Sequence, residues 1–312
     1  MARCQKPILL KNRKNMEGQQ VPCGHCENCR KTRISNWSFR LMNEAKWSDT
    51  SYFITLTYGD DVPITRNGFM DLSKRHLQLF FKRLRKLHDR EGSSLPLKYY
   101  AVGEYGGKGK RPHYHVILFN VSLATLIGDK FQRMVQQGTI ELDGKHQFQC
   151  NAWGYNVILV YGVKAFKVPY RQNIGHITIG QVNEASVGYT CKYMAKPSKI
   201  PMHRNDDRTP EFSLMSKGLG IDYLTPAMKM WHYKDMINRQ YCTTNDGKKI
   251  SLPRYYKEKL LDEHEREELR IINRERMLLK ERKFKTTSKA RSDAYFAGIE
   301  RLKQNVSKDQ KF

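Results

Sequence analysis

Leu97-Lys98-Tyr99-Tyr100-Ala101-Val102-Gly103-Glu104-Tyr105 and Arg111-Pro112-His113-Tyr114-His115-Val116-Ile117-Leu118-Phe119 are two strand-like runs on either side of Gly106-Gly107-Lys108-Gly109-Lys110. Apolar and aromatic residues fill both runs and glycine fills the break, so the stretch reads as a β-hairpin. Residues i and i+2 of a strand share a face, which sets the His113 and His115 imidazoles side by side. With the turn centred between residues 108 and 109, Glu104 lies opposite His113, and directly opposed residues also share a face. One face of the hairpin then carries a carboxylate and two imidazoles. That oxygen and nitrogen set suits Mg²⁺ or Mn²⁺, with positions left for a phosphate oxygen and water. Zinc also binds paired histidines but would call for further acidic or histidine ligands nearby, and apolar residues follow His115. The plain structural alternative has both histidines facing solvent while Val116 and Leu118 face the core. A phosphate-binding loop is excluded, because the Gly-Lys-Ser/Thr ending is missing and a strand follows instead of a helix.

Working outward, Tyr52–Tyr58 is rich in β-formers and stops at Gly59-Asp60. Ser73 offers an N-cap to a helix reaching about Arg90, with Leu77, Phe80, Phe81, Leu84 and Leu87 on its apolar face. Val121 to about Gln137 reads as helix, and a stretch rich in aromatics and glycine follows in which strands are hard to place. His176–Val182 alternates as a strand, and Glu184 to Lys196 reads as a helix stopped by Pro197. The rhythm strand, helix, strand, strand, helix, strand, helix predicts an α+β fold, an antiparallel sheet with helices packed on it. Beyond about Pro201 the chain reads as loop-rich, and Tyr256–Lys283 as one charged helix. The expected organisation is a Cys-rich segment 1–35, a core 36–200, a loop-rich extension 201–257 and a charged helical arm 258–312.

On the helix from Glu184, Tyr189, Lys192, Tyr193 and Lys196 stand at i, i+3, i+4 and i+7, so two phenols and two ammonium groups share one stripe. Ala185, Val187 and Met194 are left as the candidates to pack on the sheet. A phenol with a pKa near 10 is a weak nucleophile, but nearby cations and a metal-polarised phosphate make its attack feasible. Taken alone, the tyrosine pair would read as the edge of an amphipathic helix. Together with the histidines it points to covalent chemistry on a nucleic-acid phosphate. Lys108, Lys110, Arg111 and Lys196 are the cations expected to contact that nucleic acid.

The composition agrees. The 312 residues carry 56 Lys+Arg against 31 Asp+Glu, a net charge of +25, which favours a polyanion partner. No apolar stretch approaches the roughly twenty residues of a membrane span, and the N-terminus has no apolar signal segment, so no membrane partner is expected and the chain reads as soluble and intracellular. Four of the seven cysteines, Cys4, Cys23, Cys26 and Cys29, lie near the N-terminus. Their spacing suits a structural Zn²⁺ site. The alternatives are unpaired thiols or His25 replacing Cys4 as fourth ligand. Cys150, Cys191 and Cys242 read as ordinary buried thiols.

Phe53-Ile54-Thr55-Leu56-Thr57-Tyr58, Gly103-Glu104-Tyr105, Arg111-Pro112-His113-Tyr114-His115 and Gly188-Tyr189-Thr190-Cys191-Lys192-Tyr193 together resemble the HUH endonucleases. The closer resemblance is to the rolling-circle replication initiators of gokushovirus-type microviruses, single-stranded DNA phages. The Cys-rich segment and Pro253-Arg254-Tyr255-Tyr256-Lys257 are also similar to that group. The resemblance implies a palm-like antiparallel sheet, a divalent ion on the histidines, and single-strand cleavage at a viral origin leaving a 5′-phosphotyrosine and a free 3′-OH. It assigns Tyr189 and Tyr193 as nucleophiles and Lys192 as supporting cation. It further implies work in the cytoplasm of a host bacterium alongside a host helicase and a replication polymerase. A transposase or relaxase of the same chemistry is one alternative, although small transposases of this type typically carry one tyrosine. A noncatalytic nucleic-acid-binding protein is the other.

Overall fold

In the computed structural model, which describes residues 4–12, 15–107, 109–150, 152–161, 164–195 and 200–283, the hairpin is the middle of a six-stranded antiparallel sheet. The chain opens with a two-stranded ribbon, β1 (Ile8–Asn12) and β2 (Asn15–Val21), and runs through the cysteine cluster into helix α1 (Glu27–Trp47). β3 (Ser51–Tyr58), α2 (Lys74–Arg90), β4 (Lys98–Tyr105) and β5 (Pro112–Phe119) follow. Then come α3 (Leu123–Ile127), α4 (Asp129–Gln136), β6 (Asp143–Phe148), the hairpin β7 (Gly154–Tyr161) and β8 (Lys164–Asn173), β9 (Gly175–Gln181) and α5 (Glu184–Ala195). The remainder is β10 (Phe212–Met215), α6 (Pro226–Lys234), the hairpin β11 (Tyr241–Thr243) and β12 (Lys249–Ser251), α7 (Arg254–Leu260) and α8 (Glu263–Lys283). The sheet order is β10-β4-β5-β3-β9-β6.

Both faces of the central strands are covered, so β5 is buried almost throughout instead of alternating with solvent. On one face Ile54, Leu56, Tyr114, Val116 and Leu118 meet Leu77, Phe80, Phe81 and Leu84 of α2. Ser73 caps that helix, its side chain accepting a hydrogen bond from the His76 N–H. The other face takes α1 and α5, where Leu41, Val187 and Cys191 pack with Tyr100, Ile117 and Phe119. There Glu44 is buried, held by Lys98 Nζ at 2.6 Å and by the Gly220 N–H at 2.7 Å. That pairing offsets the cost of taking a carboxylate out of water.

Two compact units are distinguished, Met1–Met228 with Tyr241–Ser251, and Lys229–Gln240 with Leu252–Phe312. Within the second, the Tyr233 hydroxyl donates to the Leu260 carbonyl, and the Gln240 and Asn273 side-chain amides pair at 3.0 Å.

Several expectations are corrected. The Val121–Gln137 helix is two helices broken at Gly128, whose φ of +88° leaves the helical region. The Tyr256–Lys283 helix is likewise two, because Leu261 takes extended backbone and Asp262 starts the second by accepting the Glu265 N–H at 2.8 Å. Residues 201–257 hold more structure than expected, since β10 extends the main sheet. Ala185 is exposed and does not pack on the sheet; Val187, Thr190 and Cys191 face inward instead. The Met194 side chain and Lys196 lie outside the described residues.

Gly175 is where β9 comes closest to β3. A Cβ there would stand 1.8 Å from the Thr57 carbonyl oxygen, and that atom is backbone that cannot step aside. Gly175→Ala is therefore expected to cost about 3 kcal/mol or more, or to prevent folding, as read by denaturant unfolding.

Candidate active site and metal centres

The register read from sequence is the one observed: Glu104 pairs directly with His113, and Val102 with His115. Glu104 is buried at 3% exposure and His115 at 5%, which disposes of the solvent-facing alternative for His115. Glu104 Oε1 lies 2.6 Å from His113 Nε2 and 3.1 Å from His115 Nε2. His113 Nδ1 stands 3.2 Å from the Arg111 carbonyl, and His115 Nδ1 stands 3.1 Å from Thr55 Oγ1. A carbonyl only accepts, so His113 carries its proton on Nδ1 and turns the Nε2 lone pair toward the carboxylate. Fixing one ring nitrogen so that the other faces inward is how metal-binding histidines are oriented. Glu104 Oε2 is buried without a hydrogen-bond partner among the described residues, an oxygen with capacity to spare. The three donors lie within 4.8 Å of one another and can hold a metal ion.

The electrostatics fit such use. Burial lowers the His115 pKa, against the opposing pull of Glu104, and so favours the neutral, ligating imidazole. Burial works to raise the Glu104 pKa, but the two histidines outweigh it and the net shift is downward, toward carboxylate.

Tyr114, between the two histidines, points to the opposite face. Its hydroxyl pairs with the Tyr58 hydroxyl at 2.8 Å and accepts from the Ser73 N–H at 2.8 Å, which ties β5 to β3 and to the cap of α2. Gly103, paired with Tyr114, leaves room for that ring; a Cβ there would stand 3.2 Å from it.

α5 brings both tyrosines over this face. The Tyr189 ring stands edge-on to His115 at 5.1 Å, and the Tyr193 ring is stacked on His115 at 5.4 Å. The two hydroxyls are 2.7 Å apart. Tyr189 is 42% exposed, whereas burial, the Tyr189 hydroxyl and the Glu104 charge raise the Tyr193 pKa. Phe53, which sequence reading placed only in a strand, stacks on His115 at 5.6 Å and meets Tyr189 edge-on at 6.4 Å. Its position two residues before Thr55 on β3 was the available signal.

Among the expected cations, Lys192 is exposed on α5 and Lys110 lies in the hairpin turn with φ +48°. Arg111 is exposed, but its Nη2 donates to the carbonyls of Tyr58 and Gly59, which ties it to the end of β3. Lys108 and Lys196 lie outside the described residues.

The cysteines form a second centre. The sulfurs of Cys4, Cys23, Cys26 and Cys29 lie within 4.8 Å of one another, with Cys4 and Cys26 3.8 Å apart. Sulfurs bound to one tetrahedral zinc at about 2.3 Å would be about 3.8 Å apart, so the group fits that ion with Cys4 as a member. Backbone N–H groups point at the sulfurs, Cys23 to Cys4 at 3.2 Å, Cys26 to Cys23 at 3.3 Å and Gln5 to Cys26 at 3.4 Å. Burial works to raise the Cys26 pKa, but the N–H groups of Gln5 and Cys29 and the neighbouring thiols bring it down to about 6. Burial raises Cys29 to about 12, a thiol that would ionise only with an ion in place. Gly24, at φ +76°, supplies the turn that folds this loop over. One zinc per chain is expected by elemental analysis, with Cys29→Ser losing most of it and lowering the thermal midpoint. Full zinc content in that variant would remove Cys29 from the ligand set. Cys150, Cys191 and Cys242 are buried free thiols, as read from sequence.

Residues 51–198 match the family model of the replication-associated protein ORF2. The chain is 29% identical over 248 residues to the replication-associated protein ORF2 of Spiroplasma virus 4, which covers 78% of this chain and 69% of that protein. It is 25% identical over 250 residues to the replication-associated protein VP4 of Bdellovibrio phage phiMH2K, with the same coverage of 78% and 69%. The replication-associated protein ORF4 of Chlamydia phage 1 is 24% identical over 247 residues, 77% of this chain and 53% of that protein. The kinship expected from the motifs therefore holds at the level of phage replication-associated proteins.

Proposed function

We propose that this phage replication-associated protein is a rolling-circle initiator that nicks single-stranded DNA at the viral origin through a tyrosine, on a palm of the HUH type. The observation that carries this reading is the convergence of Tyr189 and Tyr193 on the face that presents Glu104, His113 and His115. A phenol oxygen attacks the scissile phosphorus, the bond from phosphorus to the 3′ oxygen breaks, and that oxygen takes up a proton. The products are a 5′-phosphotyrosine and a free 3′-OH that primes synthesis. The second tyrosine cuts again after a round of replication. The 3′-OH so freed attacks the first phosphotyrosine, which closes a circle and regenerates the phenol without ATP.

Glu104, His113 and His115 would hold Mg²⁺ or Mn²⁺, which supplies Lewis-acid withdrawal of charge from the phosphate. The protein's own share is positioning: α5 holds two nucleophiles 2.7 Å apart at their oxygens, so either can reach the same phosphate. Lys192, on the same helix, supports phenolate or phosphate charge, and Lys108, Lys110, Arg111 and Lys196 contact the DNA backbone. The cysteine centre holds Zn²⁺ in a structural role. Unwinding and synthesis fall to a helicase and a polymerase of the host, in whose cytoplasm the protein works. No helix among the described residues is long and apolar enough to cross a membrane.

The test incubates the protein with Mn²⁺ and single-stranded origin DNA labelled at either end. A label from the 5′ side of the cut, retained on denatured protein, supports the reading. Binding without any adduct overturns it in favour of a noncatalytic DNA-binding protein.

A further inference from the structure

The sheet face that carries the metal cluster does not end there. Across the strands, Glu104 pairs with His113, His113 with Thr57, and Thr57 with His176. In the adjacent row, His115 pairs with Thr55, Thr55 with Thr178, and Thr178 with Gln147. Directly paired residues share a face, so the floor of the site continues over β3 and β9 to the edge strand β6 as a run of small polar side chains. Thr55, Thr57, His176 and Thr178 are only part-buried and Gln147 is exposed, while their neighbours Leu56, Ile177 and Phe148 turn into the core. At about 4.8 Å per strand, His176 is about 10 Å from His113.

The row leads into an open cleft of about 530 Å³, formed where the chain leaves β3, enters β9 and leaves β6. Asp60, Gln147, Gln149, Asn173 and His176 line it, and none of its lining residues is lysine or arginine. That chemistry does not suit phosphate, which proteins hold mainly with cations and backbone N–H groups, but carboxamides and carboxylates are the groups that pair with base edges. Asn173 Nδ2 donates to Gln149 Oε1, and Asn173 Oδ1 is buried without a hydrogen-bond partner among the described residues. An acceptor left unpaired there, beside the Asp60 carboxylate, calls for a donor from a ligand. Adenine, cytosine and guanine each offer an exocyclic amine; thymine offers none. Arg111, anchored to Tyr58 and Gly59 on β3, lies between cluster and cleft, close enough for its charge to lower the His176 pKa beyond what burial does.

We propose that this cleft seats an unstacked base bearing an exocyclic amine, from the strand flanking the phosphate at the metal cluster, and gives the protein part of its sequence preference. The proposal rests on the nicking reading for the identity of the ligand as single-stranded DNA. Its test does not depend on the chemistry, because it reads binding alone.

Fluorescently labelled oligo(dT), oligo(dC) and oligo(dA) of equal length are titrated with the full chain by anisotropy, without added divalent ions and at one fixed salt concentration. The expected result is about tenfold tighter binding of oligo(dC) and oligo(dA) than of oligo(dT). Asn173→Leu and, separately, Gln149→Ala at an exposed position should bring both down toward the oligo(dT) value and leave oligo(dT) itself unchanged. Equal binding of all three by the unaltered protein overturns the proposal. So does a uniform loss across all three in the variants, or a preference that survives both substitutions. A protein carrying Tyr189→Phe and Tyr193→Phe should keep the preference, so failure of the covalent reaction and failure of the cleft are separate outcomes.

Discussion

Tyr189→Phe combined with Tyr193→Phe should abolish covalent capture of single-stranded DNA, by at least about a thousandfold, while the protein folds and binds DNA as before. The scale follows from removing every oxygen able to form the ester, since loss of a covalent nucleophile leaves only what binding contributes. Folding should be spared because Tyr189 is 42% exposed and the inward positions of this helix are Val187, Thr190 and Cys191. The single variants carry more information. Tyr193 lies against Glu104, and burial, the Tyr189 hydroxyl and that carboxylate all hold its proton on. Tyr189 is the more exposed phenol and the readier to take the first phosphate. Tyr189→Phe is therefore expected to cut the first adduct more deeply than Tyr193→Phe, and each single variant to lose the release of joined circles. The measurement is the yield of labelled adduct on denatured protein beside the yield of circular product. A double variant that still forms adduct would place the nucleophile elsewhere.

What made the site legible in the sequence was period and register. His113 and His115 are two apart, Glu104 is fixed opposite by a turn of known centre, and Tyr189 and Tyr193 are one helical turn apart; each is a local rule that tertiary packing left intact. The parts that escaped are those set by long-range contact. α1 was not foreseen beyond residue 35, because its apolar residues Ile34, Trp37, Leu41 and Met42 are diluted by Arg33, Arg40 and Lys46, and their use depends on α5 lying beside them. β10 reads as loop in isolation and becomes a strand only by pairing with β4, Phe212 against Gly103. Phe53 looks like any strand aromatic until His115 is seen stacked on it. Arg111 illustrates the opposite error, because a cation beside the histidines reads as free for DNA, yet its Nη2 already donates to two carbonyls.

Glu104→Gln is expected to weaken Mn²⁺ binding by about 100-fold or more and to suppress adduct formation with it, yet to leave the fold as stable as before or more so. The argument starts from His113, whose Nδ1 proton is committed to the Arg111 carbonyl and whose Nε2 lone pair stands 2.6 Å from Glu104 Oε1. Two lone pairs at that distance repel unless a cation lies with them, either a proton or a metal ion. Burial keeps the neighbouring His115 toward its neutral form, which makes a second proton costly and favours the metal. In Glu104→Gln the side-chain NH₂ can donate to an imidazole nitrogen, so the pair is satisfied without an ion and a buried charge is removed. A purely structural ion pair predicts the reverse sign, since breaking it by loss of one charge would destabilise the protein by several kcal/mol. Calorimetric titration with Mn²⁺ and denaturant unfolding of the same variant decide between them. Unchanged Mn²⁺ affinity would exclude Glu104 from the metal centre, and marked destabilisation would make the cluster a structural element of the hairpin. The variant with both His113→Ala and His115→Ala should lose metal and adduct together, because once both imidazoles are gone Glu104 alone is too few ligands to retain the ion.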